Sequence, residues 1–252
     1  MAASERRVML VTGGGRGIGA AVVRLAAARG HDVCLTYLGD AARAEETAAV
    51  AREAGARALA VRADVADAAA RERCFAALDA EFGRLDALVN NAGITGPAGR
   101  LADTPDTVWE AVMRTNVLGL AACSREAVRR MSTARGGRGG AVVNVSSRAS
   151  KLGGPGEWIH YAASKGAVDT FTIGLAKEVG AEGIRVNAVN PGLIDTELHA
   201  AAGMPDRVAR GAAGVPMGRG GTAEEVAEAV LWLLSDAAGY VTGACLPVGG
   251  GR

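Results

Sequence analysis

Short apolar runs alternate along this chain with longer alanine-rich stretches of helical pattern, and that alternation narrows the fold more than any other feature. Val8-Met9-Leu10-Val11-Thr12, Val33–Tyr37, Arg57–Arg62, Ala87-Leu88-Val89-Asn90, Ala141–Val145 and Ile184–Val189 read as strands, with Cys245-Leu246-Pro247-Val248 as a last one. They are largely apolar rather than alternating in polarity, as strands covered on both faces are. Helical patterns lie between them: Gly17–Arg29, Ala41–Ala54, a stretch ending at Phe82 before Gly83, Thr107–Met131, and Glu157–Val179. A last helix opens at Thr222-Ala-Glu-Glu225, a capping-box pattern. Strand–helix alternation with right-handed crossovers predicts an α/β fold, a doubly wound parallel sheet of the Rossmann type. Ligands of such folds sit at the carboxyl ends of the strands, so polar residues just past a strand carry the most information.

At 252 residues the chain fits one domain, 1–252, rather than two. A formal net charge of +1 argues against a nucleic-acid binder. No apolar run approaches the roughly 20 residues of a membrane span, and Val8–Val11 is too short for a signal-peptide core. A cytoplasmic protein with no membrane partner is expected. Cys34, Cys74, Cys123 and Cys245 show no C-x-x-C and no metal-ligand spacing, so reduced buried thiols are expected and no metal site. Gly136–Gly140 reads as a surface turn. The segment 197–221 has weak periodicity, and reads either as a substrate lid or as an ordinary connection.

The first strand runs into Thr12-Gly13-Gly14-Gly15-Arg16-Gly17-Ile18-Gly19 and then a helix. Glycines permit a tight turn and close backbone approach, and the helix N-terminus beyond offers free N–H groups to a pyrophosphate. The T-G-x-x-x-G-x-G form of Thr12, Gly13, Gly17 and Gly19 in this setting points to nucleotide binding. A site for NAD usually places a carboxylate at the end of the second strand, on the ribose 2′-hydroxyl. Here that place is Thr36-Tyr37-Leu38. Arg16, and less strongly Arg43, could meet a 2′-phosphate with charge-assisted bonds, so NADP(H) is favoured over NAD(H).

The fifth strand ends in Asn144-Val-Ser-Ser147, and a later helix carries Tyr161-Ala-Ala-Ser-Lys165. Positions four apart share a helix face, so the Tyr161 phenol and the Lys165 ammonium can share a site. A tyrosine of ordinary pKa about 10 is a poor acid or base at neutral pH. A nearby ammonium, with the charge of an oxidised nicotinamide, favours the phenolate and is expected to lower that value. Such a tyrosine can protonate a carbonyl oxygen, or deprotonate an alcohol, while hydride moves at carbon. Ser147 would orient the same oxygen.

On these motifs the chain resembles the classical short-chain dehydrogenase/reductase family, from Thr12 to Gly250. The resemblance assigns the glycine turn Thr12–Gly19 to the cofactor pyrophosphate, Asp64-Val65 to the adenine, and Asn90-Asn91-Ala92-Gly93 to the element after the fourth strand. It implies a catalytic set of Asn116, Ser147, Tyr161 and Lys165, with Asn116 holding a water near the lysine, and Tyr161 and Lys165 also meeting the nicotinamide end of the cofactor. Pro191-Gly192-Leu-Ile194-Asp-Thr196 matches the segment that binds the nicotinamide carboxamide. Val248-Gly249-Gly250 departs from the family's usual Asp-Gly-Gly. The wider motifs resemble a branch holding glucose 1-dehydrogenase-like and 3-oxoacyl-carrier-protein-reductase-like enzymes.

The expected activity is therefore hydride transfer between a nicotinamide and a secondary alcohol or ketone, or a sugar hemiacetal or lactone, with a small-molecule substrate. A non-catalytic NADP(H) sensor on the same fold is the alternative, and it predicts erosion of the reacting residues, which are all retained. An isomerase or dehydratase of the extended relatives would need a C-terminal substrate domain, for which the chain leaves little room. Trp158 reads equally as a pocket wall or as packing under the loop, His160 as a surface residue, and His199 and Met204 as part of the lid. Relatives imply a homotetramer, to which Trp232 and the apolar C-terminal stretch would contribute.

Overall fold

The computed structural model describes residues 6–198 and 203–252. Seven strands form one parallel sheet: β1 (Arg7–Val11), β2 (His31–Tyr37), β3 (Ala58–Arg62), β4 (Ala87–Asn90), β5 (Gly140–Val145), β6 (Ile184–Pro191) and β7 (Cys245–Val248). Their order is β3-β2-β1-β4-β5-β6-β7, and every pairing is parallel. The chain runs outward from β1 to β3, then returns to β4 on the other side of β1. That reversal opens a crevice at the carboxyl ends of β1 and β4. Pro247 is tolerated in β7 because an edge strand need not donate on its outer side.

Strands β1 to β6 feed both faces. Met9 and Val11 of β1, Val33 and Leu35 of β2, and Val143 and Val145 of β5 join one apolar layer. It packs on α1 (Gly17–Ala28), α2 (Ala41–Glu53) and α9 (Ala223–Leu234). Leu10, Cys34, Leu88 and Val142 point the other way, into a layer with α3 (Ala68–Phe82), α5 (Leu120–Met131) and α7 (Ile159–Val179). The small faces of α2 and α1, Ala44, Ala48 and Ala51 with Ala26 and Ala27, are wholly or almost wholly buried. All four cysteines are free; Cys245 is half-buried and the other three buried.

Three local features differ from the sequence reading. The expected helix Thr107–Met131 is two helices, α4 (Asp106–Met113) and α5, joined by a π-helical turn, Arg114–Gly119. Such one-turn widenings cluster at functional sites, and this one carries Asn116. A short helix, α6 (Ala149–Leu152), follows β5. Within 197–221, His199 and residues 200–202 lie outside the described residues. The rest holds α8 (Arg207–Gly211) and a bridge that pairs Ile194 with Gly221. Among the described residues no helix is long and apolar enough to cross a membrane, and no group of three His, Cys, Asp or Glu is arranged to hold a metal.

Candidate active site

A cavity of about 840 Å³ occupies the crevice. It meets the glycine turn, the ends of β2 and β3, the loop after β4, the end of β5, the start of α7 and the segment after β6. Of the residues expected to bind cofactor, Gly13, Gly15, Arg16, Gly17, Ile18, Thr36, Tyr37, Asp64, Val65, Asn91, Ala92, Gly93, Pro191, Gly192, Ile194 and Thr196 line it. Ser147, Tyr161 and Lys165 line the same cavity. Thr12, Gly19 and Asn116 stand behind its wall.

Those three shape the wall rather than form it. Thr12 Oγ1 accepts from Asn91 N at 3.0 Å and from Ala92 N at 3.1 Å, stitching the end of β1 to the loop after β4. Asn91 returns the contact, its Nδ2 donating to the carbonyls of Thr12 and Gly13 at 3.0 and 2.9 Å. Gly13 has φ +66°, which favours glycine. A Cβ on Gly19 would stand 2.4 Å from the Gly13 carbonyl oxygen and 2.5 Å from Asn91 Nδ2, so α1 can approach the turn only without a side chain there.

Thr36 lines the cavity and also buttresses the glycine turn. Its hydroxyl accepts from Gly13 N at 3.0 Å and its carbonyl from Gly14 N at 2.9 Å. It is buried as a buttress of the turn, leaving Leu38 and Gly39 to continue the outer cavity wall. Asp40 lines the cavity too, but its carboxylate caps α2 by accepting from Arg43 N at 3.0 Å. The Arg43 guanidinium pairs with Glu197 at 2.6 Å.

The turn fits a dinucleotide phosphate. α2, α3 and α9 are capped by the side chains of Asp40, Asp67 and Thr222. α1, like α4, α6 and α7, has no side-chain cap, and it begins at the cavity with no acidic residue in its first turn. Its leading N–H groups therefore lack a side-chain acceptor, and a phosphate would satisfy them.

At the other end, Lys165 is buried and its Nζ donates to the Val145 carbonyl at 2.7 Å. Burial pulls its ammonium down to about 8, opposed by the charge of Asp169. The half-buried Tyr161 ring has Lys165 Nζ 5.6 Å from its centroid. Burial pushes the phenol above its ordinary value, and a hydrogen bond with Ser147 works the other way. The expected lowering by Lys165 is thus not what this chain alone produces, because desolvation outweighs every other influence on the phenol.

Asn116 is wholly enclosed. Its Oδ1 accepts from Ile94 N at 2.9 Å, and its Nδ2 donates to the Ile94 carbonyl at 2.8 Å and to Ser164 Oγ at 3.0 Å. The π-helical turn thereby clamps the loop after β4 against α7.

The cavity wall beyond Tyr161 includes Leu152, Glu157, Trp158, Leu198 and Arg207. Trp158 is both wall and packing: it is buried, donates from Nε1 to the Gly96 carbonyl at 3.1 Å, and carries the Arg207 guanidinium 4.4 Å over its ring. Arg207 also pairs with Glu157 at 2.6 Å. His160 is not a surface residue. It is buried with Nε2 2.8 Å from the Thr95 carbonyl, its ring edge-on to Trp109, because the start of α7 packs under the loop after β4. The sequence reading also missed Ser146, Ser150, Asp169 and Asn190, which meet behind Ser147. An acidic residue four positions after Lys165, on a helix packed against the sheet, was the available signal.

Comparison with known proteins agrees with the fold. The protein-family profile described as enoyl-(acyl carrier protein) reductase matches residues 13–252. The uncharacterized oxidoreductase YgfF of Escherichia coli (strain K12) is 49% identical over 245 residues, covering 97% of this chain and 99% of its own. The cis-4-hydroxycyclohexanecarboxylate dehydrogenase of Sinomonas cyclohexanicum is 45% identical over 251 residues, covering 99% and 97%. A short-chain dehydrogenase from Burkholderia cenocepacia J2315, solved in complex with NADP, superposes with a TM-score of 0.89 at 35% identity, covering 98% and 97%. A 3-ketoacyl-(acyl-carrier-protein) reductase from Brucella melitensis, complexed with NADH, gives 0.90 at 32% identity, covering 99% of each chain. The chain belongs to the short-chain dehydrogenase/reductase family of oxidoreductases.

Proposed function

We propose that this oxidoreductase interconverts a secondary alcohol and a ketone using NADP(H), with Tyr161 as the acid and base. The observation that carries the reading is the convergence of Ser147, Tyr161 and Lys165 in the cavity that also holds the uncapped start of α1. A bound nicotinamide supplies or accepts the hydride at its C4. In reduction, Ser147 and Tyr161 grip the carbonyl oxygen and Tyr161 delivers the proton to it. In oxidation Tyr161 takes the proton from the alcohol. Lys165 places its ammonium 5.6 Å from the phenol ring, where together with the charge of a bound oxidised nicotinamide it would favour the anionic form that burial alone opposes. Asn116 keeps the loop after β4 in place beside it.

Preference for the 2′-phosphate is supported by the end of β2. Thr36 is committed to the turn, Asp40 to capping α2, and the exposed Arg16 stands at the head of α1. Arg43 contributes once the phosphate competes with Glu197 for it. The segment 197–221 serves as the substrate lid, with Leu198 and Arg207 facing the cavity. A homotetramer is supported by exposed apolar residues on the helical segments that follow β4, β5 and β6, Leu118, Ile173 and Trp232, and by the exposed Tyr240. We place the protein in the cytoplasm.

The test is a turnover screen with NADPH and NADH for reduction and with NADP⁺ and NAD⁺ for oxidation. The panel is 4-oxocyclohexanecarboxylate, ethyl acetoacetate, acetoacetyl-CoA, and glucose in the oxidative direction. Thermal melts with NADP⁺ and NAD⁺ accompany it, since a ligand of the folded state raises the melting temperature. The reading requires ketone reduction and the larger shift with NADP⁺. Equal shifts would remove the 2′-phosphate argument.

A further inference from the structure

Asp169 lies one helical turn beyond Lys165 on α7 and is 3% exposed. Three other elements meet at its carboxylate. Ser146, at the end of β5, donates from Oγ to Oδ1 at 2.6 Å. Ser150, on α6, donates from Oγ to Oδ2 at 2.7 Å. Asn190, on β6, presents Nδ2 at 3.0 and 3.2 Å from the two oxygens. Lys151 adds its ammonium 3.5 Å away, from the exposed side.

Ser147 is enclosed by these contacts. The residue before it and the residue three after it both donate to the one carboxylate. Its own carbonyl accepts from Asn190 Nδ2 at 3.2 Å. Ser146 Oγ lies 3.1 Å from the Lys165 carbonyl, so the same cluster ties the β5 end to the turn of α7 that bears the lysine. Burying a carboxylate carries a desolvation penalty of several kcal/mol, and an apolar residue would fill the space without it.

We propose that Asp169 is a positioning residue of the hydride-transfer site, fixing the Ser146–Ser150 turn from behind so that Ser147 and Tyr161 meet one substrate oxygen, and setting a negative charge one turn from the Lys165 ammonium. The inference rests on the roles proposed above for Ser147, Tyr161 and Lys165. The titratable groups placed around Lys165 are Tyr161 and Asp169 on its own helix, with Lys151 of α6 on the far side of Asp169. β5 faces it with the Val145 carbonyl, and the loop after β4 with Gly93 and the Asn116 amide behind it. Burial pulls Lys165 down to about 8, and Asp169 is the group that resists this. Neutralising Asp169 therefore makes Lys165 lose its proton at lower pH.

Two readouts test this. The first needs no cofactor. The chain has only three lysines, Lys151, Lys165 and Lys177, so protein labelled with ¹³C at lysine Cε gives three signals, assigned with Lys151→Arg and Lys177→Arg. In Asp169→Asn the Lys165 midpoint should fall by roughly one pH unit. The second readout is NADPH-driven reduction of the fastest ketone of the panel. There kcat should fall roughly tenfold to a hundredfold, KM should change little, and the alkaline limb of the pH profile should move down with the lysine. An unmoved lysine midpoint, or a kcat within about twofold of the parent, overturns the proposal.

Should Asp169→Asn fail to fold, the Ser146→Ala/Ser150→Ala pair leaves the carboxylate in place. It should lower kcat while the Lys165 midpoint stays put, and full activity in that pair overturns the positioning role. Tyr161→Phe is measured alongside. If it retains turnover, the reading of the reaction fails, whereas the lysine titration still judges Asp169 by itself.

Discussion

Replacing Thr12 with valine keeps the shape and strand preference of the side chain while removing one oxygen. That oxygen accepts from Asn91 N and Ala92 N at 3.0 and 3.1 Å. Two half-buried backbone donors lose their partner, each at about 1–3 kcal/mol if water does not replace it. Their partial exposure favours the lower half of that range, so a loss of about 2–4 kcal/mol is expected for the pair. In a chain of this size that lowers the melting temperature by roughly 5–15 °C. The freed loop, Asn91–Gly93, lines the cavity, so NADPH binding should weaken as well. Calorimetry of the ligand-free protein and a fluorescence titration with NADPH measure the two effects separately. A variant that melts within about a degree of the parent and binds NADPH equally well would refute the stitching role assigned to Thr12.

Gly19→Ala should be worse than Thr12→Val, since its Cβ meets backbone at 2.4 Å and Asn91 at 2.5 Å; a thermal melt showing parental stability would contradict the packing at the turn. Leu38→Asp places a carboxylate on the exposed cavity edge past β2, and at about 6 Å from a doubly charged phosphate in water it costs about 1.4 kcal/mol, or tenfold in the Kd for NADP⁺. The Kd for NAD⁺ should stay level or improve, as read by paired titrations. Lys165→Met should stabilise the ligand-free protein near pH 7. The folded lysine titrates near 8 against an ordinary 10.5, so between those values the unfolded chain holds a proton the folded chain has lost, and stability rises with pH across that window. Below about 8 the full penalty of about 3 kcal/mol is in force, offset by about 1 kcal/mol for the bond to Val145, and the advantage of methionine should shrink as pH climbs toward 10.

The strands and the order of the elements were legible because a covered parallel strand must be apolar on both faces, and β4 and β7 match residue for residue. Ser147, Tyr161 and Lys165, singled out in the sequence, line one cavity, but the geometry around them was less legible. Thr12 read as a cofactor contact because it sits in the glycine-turn motif and Thr36 because it stands at the end of β2; the assembled fold adds that both hydroxyls accept from backbone N–H groups and so hold the turn. The π-helical turn at Arg114–Gly119 went unseen because the pattern was read as one helix across Thr107–Met131, and the shift of the apolar stripe that the extra residue causes shows only when the two flanking helices are read separately. His160 read as surface because its neighbours said nothing of the Thr95 carbonyl beneath it. Asp169 offered only its spacing from Lys165 as a signal, since its partners come from the end of β5, α6 and β6, which only the assembled sheet brings together.

Tyr161 is proposed to carry the proton of hydride transfer. Single-turnover oxidation of NADPH by the fastest ketone, in the parent and in Tyr161→Phe, tests it most directly when NADPH binding is titrated on the same samples. The account predicts nearly unchanged binding with a transfer rate lower by roughly two to four powers of ten. Transfer at the parental rate in Tyr161→Phe, with binding intact, would contradict it.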